Sequence, residues 1–292
     1  MADGGEGTLD VLGGANRVTT VRGPLGRAVE AGWRLDGTTA VVEMAVASGL
    51  EVIGGVEEND PVAASTGGTG ELIAAALDAG ATRIIVGVGG SATTDGGLAA
   101  LRALHPVGRL LGVELIVACD VRTRFVSAAE AFAPQKGATP AQVELLRRRL
   151  ERLAQVYEAE HGVDVTAIEG SGAAGGLAGG LAAVGARLVP GFDLVADEVG
   201  LYDHIEGADL VITAEGFLDA QSFEGKVVGG VAALARHAGV PVVAIVGQIF
   251  DGAEHQITAV SLVDRFGDER ARTETLACIE EATASVIAEH RP

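Results

Sequence analysis

The chain has 292 residues, of which 48% are hydrophobic, only 3% aromatic and 43 are glycine. Glycine at about twice its usual share, with no G-X-Y period and only 8 prolines, excludes collagen-like and Pro-rich disordered classes and leaves a core of Ala, Val, Leu and Ile. A formal charge of −19 argues against a nucleic-acid or anionic-membrane surface, because both need clustered Lys and Arg.

In chain order, Thr38–Ala45 (TTAVVEMA) reads as a strand. A helix follows from Gly70, with Thr69 as its N-cap and a stop at Gly80. Arg83–Val88 (RIIVGV) is a buried-type strand, followed by a glycine-rich turn and a helix from about Gly97. Val113–Ala118 (VELIVA) is the next strand. Thr139-Pro140-Ala141-Gln142 has a cap residue, a proline at the first helical position and Gln three residues after the cap, which is a capping box. The helix it opens runs to about Glu160, with Val143, Leu146, Leu150, Leu153 and Val156 on one face. Its arginines 147–149 read as a solvated face.

The last third predicts strands at Asp209–Thr213, Val240–Val246 and Ile257–Val263, and helices at Gly225–Ala238 and Asp268–Glu289. Continuous apolar strands separated by helices imply an α/β protein whose parallel sheet is covered on both faces. Ligands in such sheets sit where loops leave the carboxyl ends of strands, so the loops after Val88, Ala118 and Thr213 matter most. Cys119 and Cys278 are too few for a disulfide framework and lack zinc-ligand spacing. No secretory leader pattern is present, and the most apolar stretch, 172–186, is too short and glycine-laden to span a bilayer. These features predict a soluble, cytoplasmic chain.

Five segments stand out as carriers of chemistry: 3–8, 66–71, 89–97, 170–176 and 215–226. Glycine clusters that open a helix let backbone N–H groups converge on a phosphate, and neighbouring carboxylates suit Mg²⁺. The combination points to phosphoryl transfer. Segment 170–180 also reads as a helix packed unusually close to its neighbour, and Glu71 as first-turn dipole compensation. Of the basic residues 19 are arginine, and the two lysines, Lys136 and Lys226, both lie beside glycine. A compact lysine suits a tight phosphate contact better than arginine. No Walker loop is present, since Gly225-Lys226 is followed by Val227. A Rossmann fingerprint is only partly met by Gly87–Ala92, because the acid expected about 20 residues on is missing. The six histidines are scattered and define no triad.

The motifs taken together resemble the bacterial type I glycerate kinase family. They are ADGGEGT at Ala2–Thr8, GTGELI at Gly68–Ile73, GGSATTDGG at Gly89–Gly97, CDV at Cys119–Val121, PQKGA at Pro134–Ala138, GAAGGL at Gly172–Leu177 and the EG-x-x-D-x-Q-x-x-x-GK run at Glu215–Lys226. The resemblance implies an ATP- and Mg²⁺-dependent phosphorylation of D-glycerate by direct transfer. It also implies a flavodoxin-like parallel-sheet domain, residues 1–18 plus 197–292, interrupted at 19–196 by a second α/β domain similar to the restriction-endonuclease-like fold.

By motif position, Asp95, Glu215 and Asp219 would hold Mg²⁺ or orient the acceptor hydroxyl, with Asp95 the general base, and Lys226 would neutralise the transferring phosphate. Ser91, Thr93 and the amides around Gly90 would cradle phosphates. Asp3, Gly4, Gly5 and Glu6 would contact substrate, as would Thr69, Glu71, Gln135, Lys136 and Gln221. Three features depart from the family pattern. The strand–helix unit with an APDSFKG-like loop ahead of ADGGEGT is not in this sequence, Phe217 stands where the family has arginine in GEGR, and Arg122–Val126 replaces the N-P-L-x-G pattern after CDV. They keep open a homologue that binds nucleotide or glycerate without turnover. The partial fingerprint keeps open an NAD-dependent oxidoreductase, and homo-oligomerisation is undetermined.

Overall fold

A computed structural model describes residues 1–223, 226–250, 253 and 255–290, the Gln221 side chain excepted. The chain divides into two compact units, Met1–Val195 and Ala196–Pro292. The first carries α1 (Thr8–Val11), β1 (Arg17–Arg22), β2 (Ala28–Asp36), β3 (Thr39–Glu43), α2 (Ala45–Ser48), α3 (Gly67–Asp78), β4 (Arg83–Gly87) and α4 (Leu98–Ala103). It continues with β5 (Glu114–Ala118), α5 (Ala128–Phe132), α6 (Pro140–His161), α7 (Leu177–Ala183), β6 (Arg187–Val189) and the start of α8 (Gly191–Glu198). The second carries α9 (Leu201–Glu206), β7 (Val211–Leu218), α10 (Val227–Ala238), β8 (Val242–Ile249), β9 (Thr258–Ser261), α11 (Leu262–Phe266), α12 (Asp268–Thr273) and α13 (Thr275–Glu289).

The first unit is built on a six-stranded sheet in the order β1-β2-β3-β4-β5-β6. Strands β3 to β6 are parallel, as expected, but β1 and β2 form an antiparallel hairpin that joins β3. The sheet is therefore mixed. Alternation explains why the central strands read as unbroken apolar runs. Ala40, Val42, Ile84, Val86, Leu115 and Val117 enter one core cluster. Their neighbours Val41, Ile85, Ile116 and Ala118 face a second cluster with Leu9 and Leu194. Both faces are covered by apolar side chains, so the middles of these strands carry no polar residue. Residues 1–18 belong by their contacts to this first unit, with Leu9 in its core.

Helix α6 forms as the capping box predicts: Gln142 N donates to Thr139 Oγ1 at 3.4 Å, and Thr139 N to Gln142 Oε1 at 2.8 Å. It buries Leu146, Leu150, Leu153, Ala154 and Tyr157, leaving Val143 and Val156 half-buried. Segment 173–183 is a close-packed helical piece. A Cβ on Gly180 would lie 2.5 Å from the Gly96 carbonyl oxygen, and one on Gly179 2.8 Å from that of Ser171.

The second unit has a parallel three-stranded sheet, β7-β8-β9, with apolar clusters on its two faces. Two expectations change here. Strand β7 runs on to Leu218 rather than ending at Thr213, and the closing helix breaks at Glu274 into α12 and α13. No helix among the described residues is long and apolar enough to cross a membrane.

Candidate active site

The N-terminal loop 3–8 lies across the carboxyl ends of the central strands. Val88 N donates to the Gly4 carbonyl at 3.1 Å, and Leu9 N to Glu43 Oε1 at 2.5 Å. Thr8 Oγ1 closes the turn on the Gly5 carbonyl at 2.8 Å. The loop comes this near only because three backbones meet at glycine. A Cβ on Gly4, where φ is +90°, would lie 2.8 Å from both Ala118 Cβ and Gly191 Cα, and one on Gly89 2.7 Å from Gly5 Cα. Glu43 is buried beneath the loop, and burial raises its carboxyl above the usual range against the Leu9 amide bond.

Asp120 leaves the end of β5 into the same loop cluster. Its Oδ1 accepts from Gly191 N at 2.9 Å, at the first residue of α8. It is half-buried, and burial first, then the like charge of Asp3, pushes its carboxyl up to about 7 against the Gly191 and Phe192 amides. A carboxyl that titrates near neutrality at the carboxyl end of a parallel strand is a functional-site candidate. The sequence motifs do not single out Asp120 as an acting residue, although it is the middle residue of CDV, one position beyond Cys119 at the end of a buried strand. Asp3 is half-buried beside it, with Oδ1 at 3.4 Å from Gly5 N. Glu6 is exposed, and its carboxylate lies against Gly90, whose φ of +63° and missing side chain make room for it.

The loop after β4 is internally braced. Asp95 Oδ2 accepts from Thr66 N and Thr66 Oγ1, both at 2.9 Å, and from Ala99 N at 3.4 Å, while Oδ1 accepts from Gly97 N at 3.1 Å. Three donors converge on Oδ2 and one meets Oδ1, so both carboxylate oxygens are engaged within the protein. Burial still raises the pKa above the ordinary value against these bonds. The geometry therefore opposes the metal and base roles expected of Asp95 and makes it the tie between the starts of α3 and α4. Lys136 is similarly enclosed. It is 2% exposed, and its Nζ donates to Ser91 Oγ at 2.7 Å and the Thr93 carbonyl at 2.6 Å. Burial pushes its ammonium down to about 7, with the Asp95 charge opposing. Thr93 is buried, and its hydroxyl has no partner among the described residues.

Other expected residues are engaged structurally. The N-cap of α3 is Thr66, three residues ahead of Thr69, and Thr69 donates its hydroxyl to Ser48 Oγ at 2.8 Å. Glu71 pairs with Arg22, accepting from Nε at 2.5 Å and the backbone amide at 2.7 Å. Gln135 is exposed. Arg122, one of the arginines after CDV, pairs with Glu169 at 3.1 Å.

In the second unit Glu215 lies within β7, and its buried Oε2 has no hydrogen-bond partner among the described residues. Asp219 follows the strand, with Oδ1 accepting from Ser222 N at 3.0 Å and Ser222 Oγ at 3.3 Å. Lys226 is the N-cap residue of α10. Gly225 and the Gln221 side chain lie outside the described residues. Phe217 is 54% exposed and packs on Phe250 with ring centroids 5.6 Å apart.

Comparison with known proteins identifies the family. The family model for the glycerate kinase family matches residues 1–108 and 105–290. A glycerate kinase from Halalkalibacterium halodurans is 42% identical over 91% of this chain and 81% of its own length. The glycerate 2-kinase of Escherichia coli K12 is 41% identical over 88% of this chain and 77% of its own. The solved structure of a candidate glycerate kinase 2 from Salmonella typhimurium LT2 superposes with a TM-score of 0.76 at 35% identity, covering 97% of this chain and 88% of that one. The chain belongs to the glycerate kinase family.

Proposed function

We propose that this chain is a glycerate kinase that transfers the terminal phosphoryl group of MgATP directly to a hydroxyl of D-glycerate. Beyond family membership, the observation that carries this reading is Asp120, a carboxyl held near neutrality among glycine-lined loops. A base so poised takes the proton as the glycerate hydroxyl attacks phosphorus: the new O–P bond forms, the bond to the ADP oxygen breaks, and the proton passes to Asp120. Asp3 and Glu6, which flank the glycine-lined loops, would accept from the glycerate hydroxyls.

In the second unit, the orphaned Oε2 of Glu215 together with Asp219 suits Mg²⁺, which takes one or two carboxylates plus phosphate oxygens and water. The ion, when bound, neutralises charge on the phosphates. Lys226 offers a cation at the opening of α10, where free amides also favour an anion. The same reading takes the chain as a cytoplasmic enzyme and retains the division into flavodoxin-like and restriction-endonuclease-like parts.

The test is coupled ADP release by the full chain with D-glycerate and MgATP, set against a control without glycerate, with the product analysed for the hydroxyl modified. Glycerate-dependent ADP and a phosphoglycerate are expected. A folded sample that releases no ADP, or releases it equally without glycerate, overturns the reading. One observation favours a second reading: Phe217 is an exposed aromatic where the family motif has a cation for an anionic substrate. Calorimetric binding of MgATP without turnover would support that binding-only reading.

A further inference from the structure

A cleft of ≈ 620 Å³ opens in the first unit between α4 and α6. This is the volume of an ordinary small-molecule site. Its walls are mainly apolar, with Leu98 of α4 facing Leu145, Leu153 and Val156 of α6. Four arginines join them: Arg102 of α4 and Arg148, Arg149 and Arg152 of α6. Helical spacing gathers the set, because Leu145, Arg149, Arg152 and Val156 follow at four, three and four residues and so share one stripe.

The charge of this cleft runs against that of the chain. In a molecule of net −19, the lining holds four cations and a single acid, Asp95, whose carboxylate is already taken by four donors. The neighbouring Arg147 shows the ordinary fate of an arginine on this helix, paired with both Glu144 and Glu151. The cleft arginines are not treated so. Arg149 donates to the Val62 carbonyl at 3.0 Å and Arg152 to Gln155 Oε1 at 3.0 Å, both neutral acceptors. Arg102 and Arg148 have no ion pair among the described residues, and the charge of Arg148 reaches Glu144 without a direct pair. Thr94, also in the lining, is buried, and its hydroxyl has no hydrogen-bond partner among the described residues. Guanidinium groups beside an apolar wall select a carboxylate or phosphate head on a hydrophobic body.

We infer that this cleft is a binding site for an amphipathic organic anion, a carboxylate or phosphate carried on an apolar body, distinct in chemistry from the small polar substrate of the proposed reaction. An occupant there touches the loop 89–97 through Thr94 and Asp95, the loop whose Ser91 and Thr93 hold Lys136. That contact gives it a route to influence the active-site loops.

The experiment titrates the full chain with anilinonaphthalene sulfonate, followed by fluorescence, and then displaces the dye with octyl phosphate, octanoate or octanol. Saturable binding at one site is expected, displaced by both anions and at least about tenfold less well by octanol. The double variant Arg102→Gln/Arg148→Gln should bind at least about tenfold more weakly, while keeping the wild-type circular dichroism and thermal midpoint. Arg147→Gln removes one cation from the same helix outside the cleft and should bind as wild type does. Three results would each overturn the site: absence of saturable binding, an equal loss in Arg147→Gln, or displacement of the dye by MgATP.

Discussion

Asp120 and Asp95 are two aspartates of the same unit in opposite circumstances. Asp95 accepts from four donors and is spent on holding α3 to α4. Asp120 has burial and the Asp3 charge against it, so its carboxyl is driven up to about 7. If Asp120 is the base, Asp120→Asn should lower kcat by about 10²–10⁴-fold with little change in KM for MgATP. The wild-type kcat/KM should fall about tenfold per pH unit below about 7. Stability carries an independent signature. The native carboxyl binds its proton more tightly than the unfolded one, whose ordinary value is 3.8, so the native state holds the extra proton between that value and about 7. Stability contributed by this group is full below 3.8 and is lost as pH rises through about 7. Asp120→Asn keeps an oxygen for the Gly191 amide and loses that dependence, so its thermal midpoint should exceed the wild-type value at pH 8 and not at pH 4. A midpoint lowered equally at both would make Asp120 a purely structural acceptor.

At the scale of elements, what the sequence reveals is what is local. The cap of α6 and the apolar runs of β3, β4 and β5 are readable because their signals lie within a few residues. The β1–β2 hairpin escapes because Arg17–Arg22 is a polar strand with only Val21 buried, and its partner strand lies beyond a turn. Strand β7 overruns its expected end because Glu215, Phe217 and Leu218 pair with Val246, Gln248 and Ile249, which nothing in an E-G-F-L stretch announces. The bracing of Asp95 is invisible for a similar reason, since its donor Thr66 is 29 residues away. The glycines of the 170–180 segment were readable as a group, and their consequence can be tested. Gly175 has φ +65°, and a Cβ there would press on the Thr93 carbonyl and lie 2.7 Å from Thr94 Cα. Gly162, at the end of α6, has nearly the same backbone, φ +71°, with open space around it. Both alanine variants bear left-handed strain of about 1 kcal/mol. Only Gly175→Ala adds a collision with backbone, and it should lose about 3 kcal/mol or more in denaturant unfolding. Equal losses in the two variants would mean that the 173–176 turn yields.

Across the whole molecule the relevant quantity is charge. Glycerate and MgATP are both anions, and the chain that receives them in the proposed reaction carries −19. Their approach is opposed at long range, and the local arrangement of amides, Lys226 and Mg²⁺ must overcome this at contact. Screening acts first on the long-range part: the Debye length falls from about 30 Å at 0.01 M salt to about 8 Å at 0.15 M. Raising KCl across that range should therefore raise kcat/KM for each substrate, by about two- to threefold, because the repulsion is screened before the short contacts are. The α4–α6 cleft predicts the opposite sign in the same protein. Its four arginines attract the amphipathic anion, so the same salt should weaken dye binding. Opposite salt slopes for catalysis and for the cleft would separate the two sites by their fields, without any substitution. A kcat/KM that falls with salt would mean that the substrates approach through a locally positive entrance, and that net charge does not govern their encounter.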